Sequence, residues 1–204
     1  TLGTQMKATG EVMSVGRTLE ESLLKAVRSL ETGVCHIYHK KFDDWDTARL
    51  LEYIRTATDD RLYAIAQLIR LGVDLGMVYN ATKIDMFFLE KFKHIVEFEE
   101  VIRNNKNDIQ TIRDAKLLGI SDKYIAQVWG CTEHDIYRMR AENNIYPVYK
   151  MIDTCASEFS SYVPYFYSTY EAENESVVSD RKKIVVLGSG PIRIGQGVEF
   201  DYST

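Results

Sequence analysis

The chain has 204 residues, 45% of them apolar and 27% charged, which is ordinary globular composition with enough interior for a real core. Its 25 Lys and Arg stand against 30 Asp and Glu, a net charge of −5, so the chain as a whole is not built to neutralise nucleic-acid phosphates. No apolar run approaches the ~20 residues of a membrane span, and the opening Thr1-Leu2-Gly3-Thr4-Gln5 lacks the basic flank and apolar centre of a signal peptide; a soluble, cytoplasmic protein with no membrane partner is expected.

Thr18-Leu19-Glu20-Glu21 predicts a capping box, in which the Thr hydroxyl and the Glu carboxylate each satisfy an orphan amide at a helix start. Leu19, Leu23, Ala26, Val27 and Leu30 follow on one helical face, with Gly33 as C-cap. Residues 34–46 read as a loop whose last acids, Asp43, Asp44 and Asp46, favour the positive end of the next helix. A helix over 47–56 ends before Thr58, which caps another that stops at Gly72. A short helix over 74–80 precedes a long amphipathic one from Asp85 to Arg103, with Phe88, Phe92, Ile95, Val96, Phe98 and Ile102 as its apolar face. Residues 108–118 are helical, and Ser121 caps a helix to Trp129. Gly130 then breaks the chain, and Thr132-x-x-Asp135 opens a helix to about 143.

Two stretches resemble each other. Leu71-Gly72-Val73-Asp74 leads to Thr82-x-x-Asp85, and Leu118-Gly119-Ile120-Ser121 leads to Thr132-x-x-Asp135. Aligned on these Thr residues, the spacing differs by three, a weak repeat of two stacked helical units.

After Ile145 the character changes. The three prolines, at 147, 164 and 191, all fall in the last third. Tyr146-Pro147-Val148-Tyr149 does not continue a helix, and the uncharged aromatic run Phe159–Tyr170 suits extended segments packed on a neighbour. Residues 171–180 carry four acids and no base, as a solvated linker does. Lys183-Ile184-Val185-Val186-Leu187 reads as a buried strand running into Gly188-Ser189-Gly190-Pro191, the opening of an α/β unit.

Little of this carries chemistry. Cys35, Cys131 and Cys155 are odd in number and far apart, so no disulfide framework is expected. Cys35-His36 with His39 supplies at most three ligands and nothing to complete a tetrahedron, so no metal site is expected either. No catalytic triad or paired-carboxylate arrangement is visible. Ser121–Asn144 has helix-turn-helix geometry, which makes a DNA-binding regulatory module the alternative reading. Against it, Asp108–Ile145 holds five Lys or Arg and six Asp or Glu, with Glu133 and Asp135 at the end that would approach a groove. The glycine-rich stretch 188–197 is neither GxGxxG, since Arg193 replaces the third Gly, nor a P-loop, since Gln196-Gly197 replaces Lys-Ser/Thr. Its glycines still permit close backbone approach to a phosphate.

Arg193-Ile194-Gly195-Gln196-Gly197-Val198-Glu199-Phe200-Asp201-Tyr202 resembles the opening of the second synthetase half of the carbamoyl-phosphate synthase large subunit, in its bacterial form. Met6-Lys7-Ala8-Thr9-Gly10-Glu11-Val12-Met13 with Gly16-Arg17 is similar to the end of that family's first ATP-grasp domain. Pro147-Val148-Tyr149-Lys150, Asp153-Thr154-Cys155-Ala156 and Pro164 through Tyr170 resemble its connecting segment.

The resemblance implies a piece of that large subunit: residues 1–17 ending the first ATP-grasp domain, a helical oligomerisation domain over 18–170, a linker over 171–182, and the start of the second pre-ATP-grasp domain over 183–204. The expected fold is mainly α, an irregular multi-helix domain followed by an extended aromatic segment and a strand-turn-helix. The family's enzyme makes carbamoyl phosphate from bicarbonate, glutamine-derived ammonia and two ATP, with Mg²⁺ or Mn²⁺ and K⁺, for pyrimidine and arginine synthesis. Implied partners are the two ATP-grasp halves of the same chain and a glutaminase small subunit, with self-association of the helical part. Catalytic residues are expected outside these positions, so the segment by itself is expected to be inactive. Gly188, Gly190, Gly195 and Gly197 are the only implied nucleotide contacts, and only within the complete domain.

Overall fold

Helix caps set the architecture. The computed structural model describes residues 12–30, 32–155, 158–159 and 165–186. Within them the order is α1 (Leu19–Ser29), a 3-10 turn (Lys40–Phe42), α2 (Thr47–Tyr53), α3 (Arg61–Arg70), α4 (Leu75–Thr82), α5 (Met86–Asn104), α6 (Ile109–Leu117), α7 (Asp122–Trp129), α8 (Glu133–Glu142), β1 (Val148–Met151) and β2 (Phe166–Thr169). Thr18, Asp46, Asp74, Asp85, Asp108, Ser121 and Thr132 each accept a backbone N–H of the helix they start, satisfying donors that the helix cannot pair internally.

The repeat is more regular than the sequence comparison indicates. Gly72 and Gly119 both have positive φ and close the same motif: Val73 N donates to Leu68 O, and Ile120 N donates to Ala115 O. Lys83 and Gly130 are the left-handed C-caps of α4 and α7. Asp85 and Thr132 are the N-caps of α5 and α8. Each pair is 47 residues apart, as are α4 (75–82) and α7 (122–129). The three-residue mismatch comes from aligning Thr82, which is the last residue of α4 and no cap at all. Equivalent positions fill equivalent space: Ile65 and Ile112, Val78 and Ile125, and Leu89 and Ile136 are all buried.

The core gathers around α5, which packs against α1, α3, α4, α6 and α7. Its inner face is Leu89, Ile95, Val96, Glu99 and Ile102, whereas Phe88 is exposed and Phe92 and Phe98 are partly buried. The aromatic positions mark the flank of the apolar stripe instead of its centre. Trp129 Nε1 donates to Ile102 O at 2.7 Å, giving an unpaired carbonyl at the end of α5 a buried partner.

Several boundaries differ from expectation. At α1 only half the capping box forms: Thr18 Oγ1 accepts from Glu21 N, while Glu21 Oε2 accepts from Arg17 N, one residue further out. The C-cap of α1 is Leu30, ahead of Gly33. Thr58 donates to Asp60 Oδ1 and α3 begins at Arg61, so Thr58 caps no helix. Tyr137 is exposed and Val128 half-buried, whereas Ile125, Trp129 and Ile136 are core. β1 and β2 pair antiparallel, Val148 opposite Thr169 and Met151 opposite Phe166. Residues 182–186 form no strand, and Ile184, Val185 and Val186 are exposed; a lone strand has no ladder to join, and none pairs with it among the described residues.

Candidate functional site, a clasp between the incoming and outgoing segments

The segment before α1 meets β2 and the residues just after it over α1. Lys25, in the middle of that helix, extends its ammonium between them. Its Nζ donates to Val15 O at 2.8 Å and to Ser168 O at 2.5 Å, and pairs with Glu21 Oε1 at 2.8 Å. Arg17 Nε donates to Glu171 Oε1 at 2.6 Å, and Ser14 Oγ donates to Ser22 O at 2.6 Å. One lysine thus donates to two segments far apart in sequence while its charge is paired with a carboxylate on its own helix.

The outgoing chain is held further along. Glu175 N donates to Tyr149 O, Tyr149 N to Asn174 Oδ1 and Met151 N to Glu175 Oε2, so residues 174–175 lie along the free edge of β1. Lys150 faces Glu171, Glu173 and Glu175 at 3.7, 3.8 and 3.3 Å. Burial opposes its charge, but the bond to Glu175 and the three carboxylates hold its pKa above the ordinary lysine value. The acidic stretch expected to be a solvated linker is therefore pinned at its start, its acids gathered around one lysine.

Beneath the clasp lies a buried ionic cluster. Asp122 takes Arg140 in a two-pronged grip, Nε at 2.9 Å and Nη2 at 2.6 Å on Oδ2, and takes Lys116 Nζ at 2.9 Å on Oδ1. Lys116 also donates to Ile120 O and Arg140 to Ile145 O. Both cations face the ring of Tyr170, at 5.1 and 5.7 Å from its centre, which anchors the end of the aromatic run to the helices. Gly119 turns here, and a Cβ on it would stand 2.7 Å from Glu21 Cα, so α1 rests directly on the α6–α7 turn. Arg28 donates to Gly119 O across the same contact.

A second buried cluster ties α5 to its surroundings. Glu99 accepts from Arg70 Nε and Nη2 at 2.9 and 2.6 Å and from Arg103 at 3.3 Å, and lies 3.0 Å from His36 Nε2. Burial pushes this carboxyl up, but His36 and Arg70 overcome it and hold its pKa at about 2. Burial keeps His36 neutral, its ring stacked on Tyr124 at 3.8 Å. Cys35, His36 and His39 point to different partners, Gln127, Glu99 and Lys41 N respectively. Gly188, Gly190, Gly195 and Gly197 lie outside the described residues. Among the described residues no helix is long and apolar enough to cross a membrane.

The DNA-binding reading finds no support. The first turn of α8 carries Glu133 and Asp135, and Arg140, one of its two arginines, is buried against Asp122. The α7–α8 unit is a packing device.

Fold and clasp together define a helical connector, a structural element whose outer segments are fastened to each other. A family model described as the carbamoyl-phosphate synthetase large chain, oligomerisation domain, matches residues 11–144, and one described as the carbamoyl phosphate synthase preATP-grasp domain matches residues 180–204. The chain belongs to the carbamoyl-phosphate synthetase large-chain family, in which the helical part serves as the oligomerisation domain and has a structural role.

The clasp residues were hidden in the sequence. Lys25 and Glu171 are ordinary helix and linker charges until the fold brings them together. Gly119 carried a signal through its place in the repeat, and Arg17, Lys150 and Tyr170 only as members of the strings that resemble the family.

Proposed function

We propose that the chain joins the two ATP-grasp halves of a bacterial-type carbamoyl-phosphate synthase and fixes where each half departs. The observation that carries this is Lys25 Nζ bound at once to Val15 O and Ser168 O. With both segments fastened to α1, a displacement of one half is passed to the other through a few hydrogen bonds instead of being lost in a flexible linker. The whole enzyme would make carbamoyl phosphate from bicarbonate, glutamine-derived ammonia and two ATP in the cytoplasm, for pyrimidine and arginine synthesis, with a glutaminase subunit supplying ammonia. ATP, Mg²⁺ or Mn²⁺ and K⁺ would be held by the ATP-grasp halves, and Gly188, Gly190, Gly195 and Gly197 would approach nucleotide only within the complete pre-ATP-grasp domain. Self-association is assigned to the exposed Met77, Tyr79, Phe87 and Phe88 of α4 and the start of α5.

The test uses a large chain with both halves. Lys25→Met is expected to lower overall carbamoyl phosphate synthesis several-fold while each half keeps its own partial reaction with ATP. Unchanged overall synthesis in a folded Lys25→Met chain contradicts the proposal.

A further inference from the structure

Going beyond the joining role, we infer that the cleft beneath the clasp binds a phosphate group, free or carried as a monoester, with Arg28 as its principal ligand. The cleft encloses about 310 Å³ between α1, the α6–α7 turn, α8 and the outgoing strand, and is lined by Lys25, Arg28, Lys116 and Arg140. Its charges do not balance. Glu21 is committed to Lys25. Asp122 alone serves both Lys116 and Arg140, and all three side chains are about nine-tenths buried. Arg28 donates Nη1 to Gly119 O and has no carboxylate within ion-pair distance among the described residues. Glu133, the remaining acid of the lining, is exposed. The inner wall therefore holds two positive charges without a counter-ion, an arrangement that is costly when buried.

That excess matches a phosphate group, which carries ~1.5 to 2 negative charges at neutral pH. Donors remain to receive it: Arg28 beyond its single bond, the third proton of Lys116, whose other two go to Ile120 O and Asp122, and the hydroxyl of Ser121, whose oxygen already accepts from Tyr124 N. The volume exceeds a bare phosphate and leaves room for the rest of a monoester. An anion here would bridge α1, the α6–α7 turn and the outgoing strand, tightening the clasp from below.

The test titrates the whole chain with inorganic phosphate at ionic strength fixed with chloride, following the amide signals of Gly119, Ser121, Ser168 and Tyr170. Parallel arms use adenosine monophosphate and acetate. Saturable shifts with phosphate or the monoester are expected, and the tighter of the two names the source. Arg28→Gln is expected to weaken binding ~10-fold or more. Arg28→Lys keeps the charge but loses the fork, and is expected to bind more weakly with an unchanged circular dichroism spectrum. Shifts matched by acetate overturn the inference, and so does affinity unchanged in both variants.

Discussion

Replacing Glu99 with Gln removes one charge and almost no volume from the inner face of α5. The carboxylate is 1% exposed and is held by Arg70, Arg103 and His36. Its pKa of about 2, against an ordinary 4.5, corresponds to ~3 kcal/mol at neutral pH, since each pH unit of difference is worth ~1.4 kcal/mol. The folded pKa is depressed, so this stabilisation is complete above the unfolded value of 4.5 and is lost as pH falls towards 2. Urea unfolding followed by circular dichroism at pH 7 and pH 3 reads it directly. Wild type should exceed Glu99→Gln by ~3 kcal/mol at pH 7, and by only ~1 kcal/mol at pH 3, where most of the linkage has already gone. A difference equal at the two pH values would refute the charge argument, leaving only lost packing.

Other substitutions probe the same scaffold. Gly119→Ala must place a Cβ 2.7 Å from the Glu21 backbone at φ +82, whereas Gly33→Ala and Gly130→Ala meet open space at similar φ; thermal unfolding should show a loss of ~1 kcal/mol for the latter two and at least ~2 kcal/mol for Gly119→Ala. Asp122→Asn leaves Lys116 and Arg140 buried without their shared carboxylate and should cost ~3–5 kcal/mol in urea unfolding. Trp129→Phe deprives Ile102 O of its donor and should cost ~1–3 kcal/mol in the same assay. Light scattering across concentrations should show weaker self-association for Phe87→Glu, on the exposed start of α5.

The helices were legible because their caps are local chemistry: Asp74, Ser121 and Thr132 each bond an amide two or three residues on, within the stretch that announces them. The 47-residue repeat was half legible. Its glycines declare themselves, but Lys83 in the left-handed position looks like any lysine, and Thr82 imitates a cap. Hydrophobicity misled at Phe88 and Tyr137, where an aromatic ring sits beside the buried stripe instead of on it. Glu99 was invisible as a core residue, because a carboxylate belongs inside only when His36 and Arg70, 63 and 29 residues away, arrive to pair with it. The clasp was hidden for the same reason: Lys25 and Ser168 stand 143 residues apart, and only the completed fold makes them neighbours.

Fastened to the same lysine, the incoming and outgoing segments should open and close as one. Hydrogen–deuterium exchange of the whole chain measures this at the amides of Arg17, Met151 and Glu175, each bonded within the clasp. In Lys25→Met, peptides covering residues 12–18, 148–151 and 166–175 should lose protection together while those of α5 keep theirs. Loss on one side alone, or on neither, would contradict the account.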